Sequence, residues 1–380
     1  MNTAAETIDI RLPPELLPSD GRFGSGPSKV RPEAVAALAE VGPSYLGTSH
    51  RQAPVRGVVR RVREGLRDLF GLPEGYEVAM GNGGAALFWD VAAFSLIERR
   101  SQHLVFGQFS SSFAAEVRAA THLDEPDVVE SPVGSHPWPH AVEGVDAYAL
   151  THNETSTGVT MPLQRPEGAD TDALVMVDAT SAAGGMRIDP ADLDVYYFAP
   201  QKCFGSDGGL WLALLSPRAV ERVERVAASD RWVPAALSLS TALTRARADE
   251  TWNTPALATL FLLADQVDWL LANGGLDWAA GRSEASAAAL YSWAESAPHA
   301  TPFVADPAMR SPVVGTVDLD ESIDAKVVCG VLRANGIVDV EPYRSLGRNQ
   351  LRVGMYPNVE PADVATLTRA IDHVVSALTS

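Results

Sequence analysis

The chain has 380 residues, 46% of them hydrophobic, too long for one ordinary core and with ample material for two. A net charge of −18 excludes a non-specific nucleic-acid binder, which needs a positive surface, and two cysteines exclude a disulfide framework. The apolar run PALATLFLLA (residues 255–264) stops at Asp265, far short of a membrane span.

The opening residues, MNTAAETIDIRLPPELLP, lack a basic stretch followed by an apolar one, so no secretory leader is read and a cytoplasmic protein is expected. Residues 1–20 read as an irregular N-terminal arm. From residue 21 to about 270, helices alternate with short apolar strands. Residues 54–70 (PVRGVVRRVREGLRDLF) predict a helix with Pro54 in its first turn, where a missing N–H does no harm. The strand EVAM (77–80) leads into a glycine-rich turn (81–84) and a helix through Ile97. Further strands are expected at 103–106 (HLVF), 145–150 (VDAYAL), 173–177 (ALVMV), 194–198 (DVYYF) and 209–215 (GLWLALL). Several are apolar throughout, as strands buried on both faces of a parallel sheet are. A long helix covers 255–272. The remainder repeats a smaller pattern: strand 313–319 (VVGTVDL), a helix near 322–334, strands 337–340 (IVDV) and 350–355 (QLRVGM), and a last helix from Pro361. The expected architecture is α/β: a large domain over 21–270 with a mostly parallel sheet, and a small C-terminal domain over 271–380.

Open α/β sheets bind ligands beyond the carboxyl ends of their strands, so the residues there carry the functional reading. Asp178 follows ALVMV; it is either a turn carboxylate or the partner of a cationic ring nitrogen. Lys202 follows DVYYF on a short link to the next apolar strand. A lysine near the core loses its proton readily and attacks carbonyls, whereas a surface lysine does neither. The spacing of 24 residues from Asp178 suits adjacent strands. The turn Gly81-Asn82-Gly83-Gly84 opens a helix, where backbone amides can meet a phosphate, although such turns are commonly only turns. Phe109, after HLVF, either fills a core or stacks on a flat ring. Thr155, in the segment after VDAYAL, either closes a turn or bonds to a ring hydroxyl.

Eight phrases together resemble the phosphoserine aminotransferases, pyridoxal-phosphate (PLP) enzymes of aminotransferase class V with the type I fold, over nearly the whole length. They are GRFGSGPSKVRPE (21–33), GTSHRQAPV (47–55), GNGGAALFWD (81–90), THNETSTGV (151–159), VDATSAAGG (177–185), YYFAPQKCFGSDGG (196–209), TWNTP (251–255) and GRNQLRVGMYPNVEP (347–361). The resemblance implies amino transfer between L-glutamate and 3-phosphohydroxypyruvate in serine biosynthesis, extending to 3-hydroxy-2-oxo-4-phosphooxybutanoate in vitamin B6 synthesis. It implies PLP, no metal, and a homodimer with shared active sites. Lys202 would carry the cofactor as a Schiff base and shuttle a proton, with Asp178 on the pyridine nitrogen. Phe109 would stack on the ring, a place where tryptophan is common, and Thr155 would meet the ring hydroxyl. Gly83, Gly84 and Gln201 would hold the phosphate, with Asn253 and Thr254 entering from the partner. His50 and Arg51 would bind the substrate phosphate and Arg352 the α-carboxylate. A second His-Arg pair common in the family is absent; Arg344 and Arg348 are its candidate replacements.

Three rival readings stand beside this one. A cysteine desulfurase or lyase needs a reactive downstream cysteine, but Cys329 lies in AKVVCGVLRANG, which reads as a helix. An alanine or serine–glyoxylate aminotransferase fits the Ser49-His50-Arg51 segment poorly. A PLP-free regulatory protein has no use for Lys202 and Asp178.

Overall fold

Prolines open several helices. In the computed structural model, which describes residues 10–380, α1 (Pro32–Tyr45) and α2 (Ala53–Phe70) both carry proline in the first turn. Residues 1–9 of the expected arm lie outside the described residues. Gly71 ends α2 at φ 56, its amide bonding to the carbonyls of Arg67 and Asp68. Val55, Val59, Val62, Leu66 and Leu69 recur at helical spacing and are buried.

The central unit alternates in the expected manner: β1 (Glu77–Asn82), α3 (Ala85–Ser95), β2 (Ser101–Val105), α4 (Gln108–Ala119), β3 (Asp127–Glu130) and β4 (Ala147–Thr151). A two-residue ribbon, β5 (Asn153–Glu154) and β6 (Val159–Thr160), precedes β7 (Leu174–Asp178), β8 (Val195–Phe198) and β9 (Leu210–Leu215). Seven strands form one sheet in the order β1-β9-β8-β7-β4-β2-β3. All pairings are parallel except those of β9, which runs against both β1 and β8. The apolar strands β7, β8 and β9 are buried at every position, as a sheet covered on both faces requires.

Four helices follow: α5 (Pro217–Ala227), α6 (Leu239–Arg247), α7 (Leu257–Ala272) and α8 (Gly275–Ser296). Helix α7 lies against α2 so closely that a Cβ on Gly65 would sit 2.6 Å from Val267. The chain ends with β10 (Ala300–Pro302), β11 (Val314–Leu319), α9 (Ala325–Ala334), β12 (Gln350–Gly354) and α10 (Pro361–Thr379), whose strands make a three-stranded antiparallel sheet.

The expected strand over 337–340 is not one. Val338 makes a single bridge to Arg22, and Asp339 at φ 66 leaves the extended region directly afterwards. Residues 12 and 23 belong to the C-terminal core: Leu12 and Phe23 pack with Val317, Leu351 and Leu367. Among the described residues no helix is long and apolar enough to cross a membrane.

Candidate active site

Because β9 alone is reversed, its first residue lies at the same edge as the last residues of its neighbours. Asn82 faces Leu210 across β1 and β9, and Asp178 faces Tyr197 across β7 and β8. Short turns leave this edge, and a cavity of about 460 Å³ opens there. Its lining includes Gly83, Gly84, Phe109, Thr155, Asp178, Gln201 and Lys202, seven of the residues singled out from sequence. A cleft of about 510 Å³ at Tyr76, Arg165, Asp194 and Arg218 offers less chemistry, since both arginines are spent on Asp194.

Lys202 is buried on the link between β8 and β9. Its Nζ donates to the Ser25 carbonyl at 2.8 Å, and no carboxylate among the described residues lies within ion-pairing reach. Burial pushes the amine down to about 8, helped by the nearby Arg352 cation and opposed by Cys203, Asp178 and Glu154. The amine sits 5.8 Å from the centre of the Phe109 ring.

Asp178 ends β7 with every carboxylate contact filled by a neutral donor. Oδ1 accepts from the Thr180 amide at 3.0 Å; Oδ2 accepts from Trp89 Nε1 and Tyr197 Oη, each at 3.2 Å. Burial and the carboxylate beside it hold the Tyr197 phenol far above its usual range. Sequence reading passed over Trp89 and Tyr197 because both look like core aromatics, and both do pack in the core.

Gly83 and Gly84 adopt φ 116 and 83, conformations that favour glycine, and Gly84 caps α3. The helix therefore presents its unpaired first-turn amides at the cavity. Thr155 Oγ1 donates to Ser181 Oγ at 2.9 Å, which leaves its oxygen to accept at the cavity.

Glu154 was also missed. Fully buried, it accepts from the amides of Phe109, Ser110 and Ser156 and from the hydroxyls of Ser110 and Ser156. It thereby fixes the start of α4 and the height of Phe109. Gly107 is required beside it, because a Cβ there would lie 2.5 Å from Glu154 Cδ.

Arg352 on β12 is half-buried, with Nη1 on the Thr155 carbonyl at 3.3 Å and Cζ 5.0 Å from the Tyr343 ring centre. No acid among the described residues pairs with it, its Nε is buried without a partner, and burial lowers its affinity for its proton. Arg348 is engaged elsewhere: it pairs with Asp318 and stacks on Phe303. Arg344 is exposed beside Tyr343 and makes no hydrogen bond or ion pair among the described residues.

Seven expected residues do not line the cavity: Arg344, Arg348 and Arg352, and with them His50, Arg51, Asn253 and Thr254. His50 Nδ1 pairs with Thr254 Oγ1 at 3.1 Å, Arg51 is exposed, and Asn253 borders a separate recess behind Gly83. Cys329 is buried in α9, where burial pushes its thiol up to about 12, the opposite of a reactive thiolate.

The cavity fits PLP on three counts. It has a buried amine across from an oriented carboxylate, a helix start for a phosphate, and buried polar atoms without partners at Gln201 Oε1, Asn153 Oδ1 and Thr180 Oγ1.

The family model described as aminotransferase class-V matches residues 137–341, more than half of the chain. The phosphoserine aminotransferase of Nocardioides sp. is 58% identical over 373 residues, covering 98% of this chain and 100% of that protein. That of Rhodococcus jostii is 58% identical over 367 residues, covering 97% and 98%. The crystal structure of a phosphoserine aminotransferase from Cytophaga hutchinsonii has the same fold, with a TM-score of 0.85 at 24% identity over 93% of this chain and 99% of that one.

Proposed function

The chain belongs to the phosphoserine aminotransferases of the class-V, PLP-dependent family, and from that premise we propose that it moves an amino group between L-glutamate and 3-phosphohydroxypyruvate, giving O-phospho-L-serine and 2-oxoglutarate. The observation that carries the reading is a cavity lined by the Lys202 amine and the Asp178 carboxylate, with a second unneutralised cation, Arg352, held on the carbonyl of the lining residue Thr155.

Bound there, PLP supplies an aldehyde for the amino group and a ring that absorbs electrons from the substrate's α-carbon. Lys202 is the amine that bonds this aldehyde and, once free, takes and returns the α-proton; its lowered proton affinity suits both tasks. Asp178 keeps the ring nitrogen protonated, and Trp89 and Tyr197 aim it. The amides at Gly83 and Gly84, with Gln201, hold the cofactor phosphate. Phe109 covers the ring and Thr155 accepts from its hydroxyl. Arg352 grips the α-carboxylate. Arg344, rather than the engaged Arg348, adds charge for the substrate phosphate.

His50, Arg51, Asn253 and Thr254 serve the site of a second subunit in a homodimer. Leu46 and Trp252, large and exposed in the same two segments, support this. The setting is serine biosynthesis in the cytoplasm.

The test is a half-reaction followed by the cofactor's visible absorbance. Phosphoserine and glutamate should convert the cofactor to its amino form and alanine should not. A loaded protein that ignores phosphoserine would overturn the substrate and the roles of Arg51 and Arg344. The phosphorylated keto acid of vitamin B6 synthesis belongs in the same series.

A further inference from the structure

The backbone segment 24–28 passes directly over Lys202 and is fastened to it on both sides. The Ser28 amide donates to the Gln201 carbonyl at 2.8 Å, and Ser28 Oγ donates to the Lys202 carbonyl at 2.5 Å. The Ser25 carbonyl receives two donors at once: Lys202 Nζ at 2.8 Å and Tyr356 Oη at 2.6 Å. Tyr356 is fully buried two residues beyond β12, so its hydroxyl has little freedom to leave. Gly26 has no side chain to intrude on the lysine stem, whose Cδ would lie 2.8 Å from a Cβ there.

The Ser25 carbonyl is thus the hydrogen-bond partner of the amine, and the phenol of Tyr356 fixes where that carbonyl stands. We propose that Tyr356 is a positioning residue: it pins the Ser25 carbonyl as the station that receives the Lys202 amine whenever that amine is not bonded to the cofactor. The amine then returns to one place in every turnover. This rests on Lys202 being the cofactor-bonding amine.

The charged and titratable groups facing that amine are Arg352 on β12, Asp178 at the end of β7, Glu154 on β5, the adjoining Cys203 and Tyr356 itself. Arg352 opposes its protonation, and the Ser25 carbonyl favours it by accepting from the ammonium. Freeing the carbonyl removes that support.

The experiment uses the cofactor-free protein. Trace acetic anhydride labels amines across a pH series, and the Lys202 peptide is quantified by mass spectrometry. In Tyr356→Phe the labelling curve should move to lower pH, raising the rate at neutral pH by about tenfold. Ser28→Ala, which loosens the same segment without touching the amine's partner, should leave the curve in place. An unmoved or upward-moved curve in Tyr356→Phe, or an equal shift in Ser28→Ala, overturns the proposal. Should Tyr356→Phe fail to fold, Gly26→Ala keeps the phenol but displaces the amine and must show the same fall; no fall overturns it. In the loaded enzyme, Tyr356→Phe should slow loss of the glutamate α-proton to heavy water while KM for glutamate changes little. None of the labelling depends on Lys202 bonding the cofactor. Failure of that reading would instead appear as wild-type protein that binds PLP without modifying Lys202.

Discussion

Adding one carbon at Gly26 separates the position of Lys202 from the stability of the fold. A Cβ there would lie 2.8 Å from Lys202 Cδ, and closer still to Cε and Nζ. Unbonded carbons settle at about 3.5–4.0 Å, so the amine must move by roughly 1 Å. The lysine stem is flexible and yields cheaply. The remaining cost is alanine at φ 143, a strain of about 1–3 kcal/mol. Displacing a reacting group by about 1 Å costs of order 100-fold in rate. Gly26→Ala should therefore fold and melt as one cooperative unit, bind PLP, and lose about two orders of magnitude in the glutamate half-reaction by stopped-flow absorbance. A near-normal rate in a loaded variant would refute the reasoning, because the amine's place would then not matter.

Other substitutions probe the surroundings. Glu154→Gln leaves one acceptor oxygen and an NH2 group facing the five donors that now converge on the carboxylate. With buried amides unpaired at about 1–3 kcal/mol each, chemical denaturation should show a loss of about 3 kcal/mol and PLP should dissociate more readily. Unchanged stability would show that the amides find other partners. Arg344→Ala should raise KM for phosphoserine by about tenfold or more, and by less for glutamate, a charge-assisted bond being worth about 1.5–3 kcal/mol. Arg348→Ala removes only a partly exposed ion pair, worth about 0–1 kcal/mol, and should leave both KM values near wild type; the opposite pattern in steady-state kinetics would exchange the two roles.

The sheet and the polar residues at its edge were legible for one physical reason. Strands buried on both faces are apolar along their length, so the polar residues at their ends, Asp178 closing β7 and Gln201 and Lys202 just past β8, mark the carboxyl edge where ligands bind. Strand β3 stayed hidden because it is only partly buried, and α4 because its serines mask the apolar face. Residues 337–340 read as a strand from Ile337, Val338 and Val340, and only the positive φ of Asp339 breaks it. The pairing of residues 21–23 with Val338 joins positions more than 300 apart, which no local pattern records. Trp89, Tyr197 and Tyr356 escaped notice because each has a ring that packs in a core and a polar end that works elsewhere. Glu154 escaped because its five donors come from two segments far apart in sequence.

The central claim is that the Lys202 amine bonds the cofactor. The direct measurement is borohydride reduction of the PLP-loaded protein, which makes that bond permanent, followed by peptide mass spectrometry. The account predicts one modified peptide, carrying the cofactor's mass on Lys202 and lost in Lys202→Ala. Modification at Lys29 or Lys326 instead, or none in a protein that holds PLP, would contradict it.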